Sequence, residues 1–320
     1  MEGPVVNILS ATALFVGGLL TVQAAANLQL TRTVGTPNGA ATLQLWVAAG
    51  LLGLLAALVG GLPALTRVAD VPWWFLLGGL ASPLYITSGI LLFSRVGALA
   101  AGGLFVTGQV LASAALDTFG LLGVPRHPVD AGVLTGSLAV LAGITVNVKG
   151  GQRATVFAGR APSAPPGAVA VAPRWLALGV VAGAALPVQG ALNAQLRTVL
   201  HQPVAVALVS FLVAALTISV LLVALLALRR TDPLRWPSRA MPWWGWLGGL
   251  CAAAYVTGTF LLIPAIGAAV TVALTVTGQQ LASAAVDAGG LLRLPRRPLT
   301  GVRAGGLALL VAGSLVVQLT

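Results

Sequence analysis

Acidic side chains are nearly missing from this sequence. Its 320 residues hold six Asp and Glu against 17 Lys and Arg, and only 7% of positions are charged at all. A soluble globular domain carries roughly 25% charged residues, so that class is excluded. Cysteine occurs once, at Cys251, which leaves no disulfide framework and no thiolate metal cluster. The two histidines, His127 and His201, fall in loop segments with no acid or cysteine set beside them, so no metal site is expected. No Gly-rich loop ending in Lys-Ser or Lys-Thr is present, which removes the usual ATP-binding signature. No nucleophile–base pair can be assembled either. The sequence therefore predicts no catalytic residues, no cofactor and no enzyme.

Apolar length is what the chain has instead. It is 58% hydrophobic with a mean hydropathy of +0.99. The apolar runs are about 20 residues each, enough to cross a ~30 Å hydrocarbon core. The fold class expected is an all-α integral membrane protein of ten transmembrane helices, near 5–28, 40–62, 71–94, 97–117, 131–148, 174–195, 204–228, 243–263, 267–287 and 301–318. The first run has no basic leader and continues into a repeated element, so it reads as a permanent span. Residues 149–173 are rich in Gly, Pro and Ala and read as a cytoplasmic linker between halves 1–148 and 174–320.

The halves are copies. Positions 71–130 align with 241–300 without a gap, and about half are identical; upstream, the offset falls from 170 to 166. Five spans per half force the second copy to enter the membrane from the opposite side, giving inverted repeats. Loop charges orient the chain. Of the 17 basic residues, only Arg67, Arg126 and Arg197 fall on one side. The positive-inside rule makes that side extracytoplasmic, with both termini there. It also accounts for the net +11 charge without nucleic acid. Trp73-Trp74 and Trp243-Trp244-x-Trp246 open their spans as interfacial anchors.

Against this background, embedded polar residues stand out, and they come in pairs. Gln23 and Asn27, followed by Gln29, are copied as Gln189, Asn193 and Gln195; Tyr85 is copied as Tyr255. The stretch Thr107-Gly108-Gln109-x-Leu-Ala-Ser113-x-x-x-Asp117 returns with Gln279, Ser283 and Asp287. Steps of four drift only ~40° on a helix, so Gln, Ser and Asp share a face. Amides and hydroxyls there suit a polar solute, and interhelical hydrogen bonds account for the same pattern. Asp117 and Asp287 are the only acids close to the hydrophobic interior, hence candidates for proton or cation coupling. Helix-end ion pairing with Arg126 or Arg296 is the simpler role for them. Pro187 stands where the first half has Thr21. Glycine rows at Gly132, Gly136, Gly143 and at Gly301, Gly305, Gly306, Gly313 predict close helix packing.

Taken together, Gln-x-x-x-Asn in the first span, Pro-Trp-Trp…Gly-Gly-Leu…Tyr, Gly-Gln-x-Leu-Ala-Ser…Asp and Gly-Leu-Leu…Pro-Arg-x-Pro resemble the YdcZ-like family of the drug/metabolite transporter superfamily, in its fused ten-span form. The resemblance implies an inner-membrane transporter or exporter with antiparallel halves around a central cavity. Small multidrug members of that superfamily use a membrane Glu in their first span, and here Gln23 and Gln189 occupy acid-free spans. The expected function is a secondary transporter of a small polar or amphipathic metabolite. The expected partners are the lipid bilayer, a small-molecule solute and candidate coupling protons, and fusion of the repeats makes a monomer sufficient. The alternative is a non-transporting membrane subunit whose polar sets bind helices together.

Overall fold

The computed structural model describes residues 3–124, 126, 130–157, 172–235, 241–266 and 268–319. Pro125, His127, Pro128, Arg160, Arg239 and linker positions 158–171 lie outside the described residues. Among the described residues there are ten α-helices and no strand: α1 (Gly3–Val34), α2 (Pro37–Leu58), α3 (Ala81–Val96), α4 (Ala98–Phe119), α5 (Ala131–Phe157), α6 (Pro173–Leu200), α7 (Pro203–Ala227), α8 (Leu247–Ile266), α9 (Ala268–Gly289) and α10 (Gly301–Leu319). Seven of these, α1 to α7, are long and apolar enough to cross a membrane, α3 doing so together with the segment before it; Gly301–Val317 is a shorter apolar helix. Helix α5 continues to Phe157, beyond the 148 expected for its end.

Local chemistry sets several boundaries. Thr36 caps α2, its hydroxyl accepting from the Gly39 amide at 3.0 Å, with Pro37 as the first helical residue. The third span is not one uniform helix. Trp73–Leu80 is 3₁₀ and becomes α-helical only at Ala81. Pro83 has no N–H to offer the Gly79 carbonyl, which disfavours regular α-helix immediately upstream of that point. The copy has Ala253 at that position, and its 3₁₀ segment is only Trp243–Trp246. Trp73 and Trp243 are 72% and 76% exposed, on the outside of the bundle where lipid headgroups would meet them.

The halves pack by exchanging helices. Helix α1 lies against α8 and α9 of the other half, while α6 lies against α3 and α4. The contacts repeat with roles swapped. Gly17 meets the Thr275 backbone and Gly278 that of Leu14; Gly183 meets Phe105 and Gly108 meets Val180. Around these crossings the numbers rise together, from Gly17–Thr275 to Thr21–Gln279 and from Leu104–Gly179 to Gly108–Ala184, so α1 runs parallel to α9 and α4 to α6. Helices α5 and α10 instead run antiparallel, with Gly136 meeting Gly313 and Gly143 meeting Gly306. A Cβ on Gly143 would lie 2.7 Å from the Gly306 carbonyl oxygen, so only glycine allows this approach. By contrast, Gly301 and Gly305 face open space. The second glycine row therefore packs through Gly306 and Gly313 alone.

Loop closures obey the same exchange. Helices α4 and α9 end at left-handed Gly120 and Gly290, each followed two residues later by a leucine at φ 54. Gln195 Nε2 donates to the Leu122 carbonyl at 3.2 Å, and Gln29 Nε2 to that of Leu292 at 3.1 Å. The third amide of each set thus holds a turn of the opposite half.

Candidate transport cavity

A cavity of about 510 Å³ opens between the halves, walled by α1, α3 and α4 from one and α6, α7, α8 and α9 from the other. Gln23, Tyr85, Gln109, Ser113, Gln189, Asn193 and Tyr255 all line it. These include the chain's only two tyrosines. Gln189 is held in place by Nε2 donating to Ser82 Oγ at 3.0 Å and Ser210 Oγ at 3.1 Å. Pro187 lies within a continuous α6 and contributes to the wall.

The sequence predicts matched polar sets from both halves on this wall, and three members are elsewhere. Asn27, Gln279 and Ser283 do not line the cavity; they are buried, at 1%, 3% and 0% exposure. Asn27 Nδ2 donates to Gln44 Oε1 at 3.1 Å. Gln279 Nε2 donates to the Tyr85 hydroxyl at 2.9 Å. Ser283 Oγ lies 2.9 Å from Thr21 Oγ1, which also donates to the Gln279 carbonyl at 3.1 Å. Their copies Asn193, Gln109 and Ser113 all reach the cavity. Periodicity puts a polar group on a helix face but cannot say whether the opposite helix has moved away from it.

Arg197 and Thr271, missed by the sequence analysis as wall residues, also line the cavity. The signal for Arg197 was present: it continues the Gln189–Asn193 spacing by another four residues.

Asp287 lies at a helix start rather than in the cavity. Its Oδ1 accepts from the Ala98 amide at 2.8 Å and its Oδ2 from the Leu99 amide at 3.2 Å, at the N-terminus of α4. Arg303 Nη2 donates to Oδ2 at 2.7 Å, with both side chains 2% exposed. The ion-pair partner is therefore Arg303, not Arg296, whose Nε donates to the Ala288 carbonyl. Arg297, in the loop after α9, is pushed below the ordinary guanidinium range by burial, with Asp287 opposing the shift. Asp117 is half-buried outside the cavity wall, and Val133 stands where its copy has Arg303.

The wall is built from amides, hydroxyls and apolar side chains, with one cation and no nucleophile–base pair among its described residues. Such a surface can hold a solute without transforming it.

A solved structure titled "Crystal structure of protein" is 21% identical, covers 97% of this chain and 94% of its own, and superposes with a TM-score of 0.54. That likeness supports the fold alone. No curated protein matches the chain. A family model described as "Putative inner membrane exporter, YdcZ" matches residues 8–146 and again 174–316. With most of both halves matched, the chain belongs to this YdcZ family of membrane exporters.

Proposed function

We propose that the protein is a secondary transporter that exports a small polar or amphipathic metabolite across the cytoplasmic membrane by alternating access. In this reading all ten helices span, the halves are inverted five-helix repeats joined by a cytoplasmic linker, and the monomer suffices. Antiparallel pairing of equivalent helices α5 and α10 supports the inverted arrangement. The observation that carries the proposal is the unequal treatment of equivalent residues. Gln109, Ser113 and Asn193 face the cavity, while Gln279, Ser283 and Asn27 are sealed into contacts. Exchange of the two environments by rocking the halves would open the other end. With the arginine-based orientation, the open end, marked by Arg197, faces outward.

A non-transporting subunit would have no use for a cavity closed at one end only. The test uses Ala194, exposed at the open end, and its copy Leu28, 6% exposed at the sealed end. Each is made the sole cysteine in a Cys251→Ala background and labelled with a maleimide in membranes. Ala194→Cys should react and Leu28→Cys should be protected. Adding Gln279→Leu, which removes the Tyr85 contact, should raise labelling at Leu28→Cys and lower it at Ala194→Cys. Labelling that fails to move in opposite directions would sink the alternating-access reading.

A further inference from the structure

We propose that the cavity selects solutes bearing a single oxyanion such as a carboxylate on an apolar body, and that Arg197 makes the selection. The inference rests on the transport reading above and adds the charge class of its solute. Helix α6 presents Gln189, Asn193 and Arg197 at steps of four, on one face of the cavity. Exposure increases along that row, from buried Gln189 through half-buried Asn193 to exposed Arg197, so the guanidinium stands at the mouth.

Arg197 is the one charged side chain among the described residues of the wall. No hydrogen-bond or ion-pair partner for its guanidinium is found among the described residues. The positive-inside rule disfavours cations at this end, where only Arg67 and Arg126 join it. Deeper in, the side-chain amides of Gln109, Gln189 and Asn193 belong to the wall. Primary amides carry donors and an acceptor that a bound polar group can use.

A cationic solute finds no counterion. Of the six acids in the chain, the five described ones, all aspartates, are absent from the wall. Bringing an unpaired charge out of water is costly, whereas a carboxylate meets a planar guanidinium suited to bind it. The first-half counterpart of Arg197 is Thr31, whose hydroxyl already donates to the Asn27 carbonyl at 2.8 Å. The guanidinium therefore serves one mouth only, and a state opened at the other end would present none.

Arg197 also lies in the last turn of α6, where a cation favours the helix dipole. The experiment separates that role from selection. The intact purified protein in detergent micelles is titrated with phenylacetate, phenylacetamide and 2-phenylethylamine, three probes of matched size, using tryptophan fluorescence. Phenylacetate should bind about tenfold more tightly than the amine, the scale of one hydrogen bond to a charged group. Arg197→Gln should abolish that preference and leave phenylacetamide affinity unchanged; Arg197→Lys should keep most of it. Equal or tighter binding of the amine, no binding of phenylacetate, or a preference that survives Arg197→Gln overturns the assignment. A helix-end role alone would lower the thermal midpoint of Arg197→Gln without changing the ratio of acid to amide affinity, and that result also overturns it. If phenylacetate fails to bind while Leu28→Cys and Ala194→Cys still label reciprocally, the charge assignment falls and the transport reading stands.

Discussion

Thr21 Oγ1 lies 2.9 Å from Ser283 Oγ, and the mirrored pair, Pro187 and Ser113, cannot form that bond. Thr21 donates its only proton to the Gln279 carbonyl, so the Ser283 hydroxyl donates to Thr21. Closure of the Gln279 end thus has a hydrogen bond that closure of the Arg197 end lacks. Such contacts contribute ~0.6 kcal/mol in membranes, which corresponds to about a threefold change in the ratio of two states. Thr21→Val keeps the shape and removes the hydroxyl. It should raise Leu28→Cys labelling relative to Ala194→Cys by about that factor, and an unchanged ratio would show that this bond does not set the balance.

The converse substitution tests the same asymmetry from the other side. Pro187→Thr places a hydroxyl where it can meet Ser113 when the Arg197 end closes. Labelling at Ala194→Cys should fall and that at Leu28→Cys should rise. Pro187→Ala is the control, because it returns the backbone N–H to α6 without the hydroxyl. If Ala and Thr behave alike, the effect belongs to the helix backbone and not to the missing bond.

Asp287 and Arg303 form a buried pair that also organises the start of α4. Removing one partner leaves a buried charge without compensation and costs about 3–5 kcal/mol. Arg303→Met should therefore destabilise the protein strongly in detergent, with Asp287→Asn doing so to a lesser degree because the amide oxygen still accepts from α4. The double variant should lose less than the sum of the two. Fully additive losses would mean that the two side chains do not stabilise the fold as a pair.

The duplication, the apolar runs and the paired polar positions were all legible in the sequence, because each is a matter of period and spacing. What could not be read was the state of the cavity. Gln109 and Gln279 sit in nearly identical sequence, yet one faces open space and the other bonds to Tyr85. That difference depends on how the halves lean, which no local pattern encodes. Asp287 was misleading for a related reason. Its partners, the Ala98 and Leu99 amides, are 189 and 188 residues away in the chain. Arg303 is only 16 residues on, but it lies beyond a loop whose course spacing does not specify. The boundary of the third span was recoverable, since Pro83 against Ala253 already distinguishes the two copies.

The glycine row of α10 gives a prediction in which neighbouring positions diverge. Gly305 faces open space, while a Cβ on Gly306 would lie 2.9 Å from both the Gly143 carbonyl oxygen and Asn147 Nδ2. Gly305→Ala should be neutral or stabilising by up to about 1 kcal/mol through helix propensity. Gly306→Ala gains the same propensity but drives α5 and α10 apart, at an overpacking cost of about 1–3 kcal/mol. The thermal midpoint in detergent should therefore stay level or rise for the first and fall for the second. Because neither helix belongs to the cavity wall, labelling at Ala194→Cys should persist in the folded fraction of both. Equal midpoints for the two variants would contradict backbone-to-backbone packing at Gly143 and Gly306, and with it the antiparallel pairing of α5 and α10 on which the inverted arrangement rests.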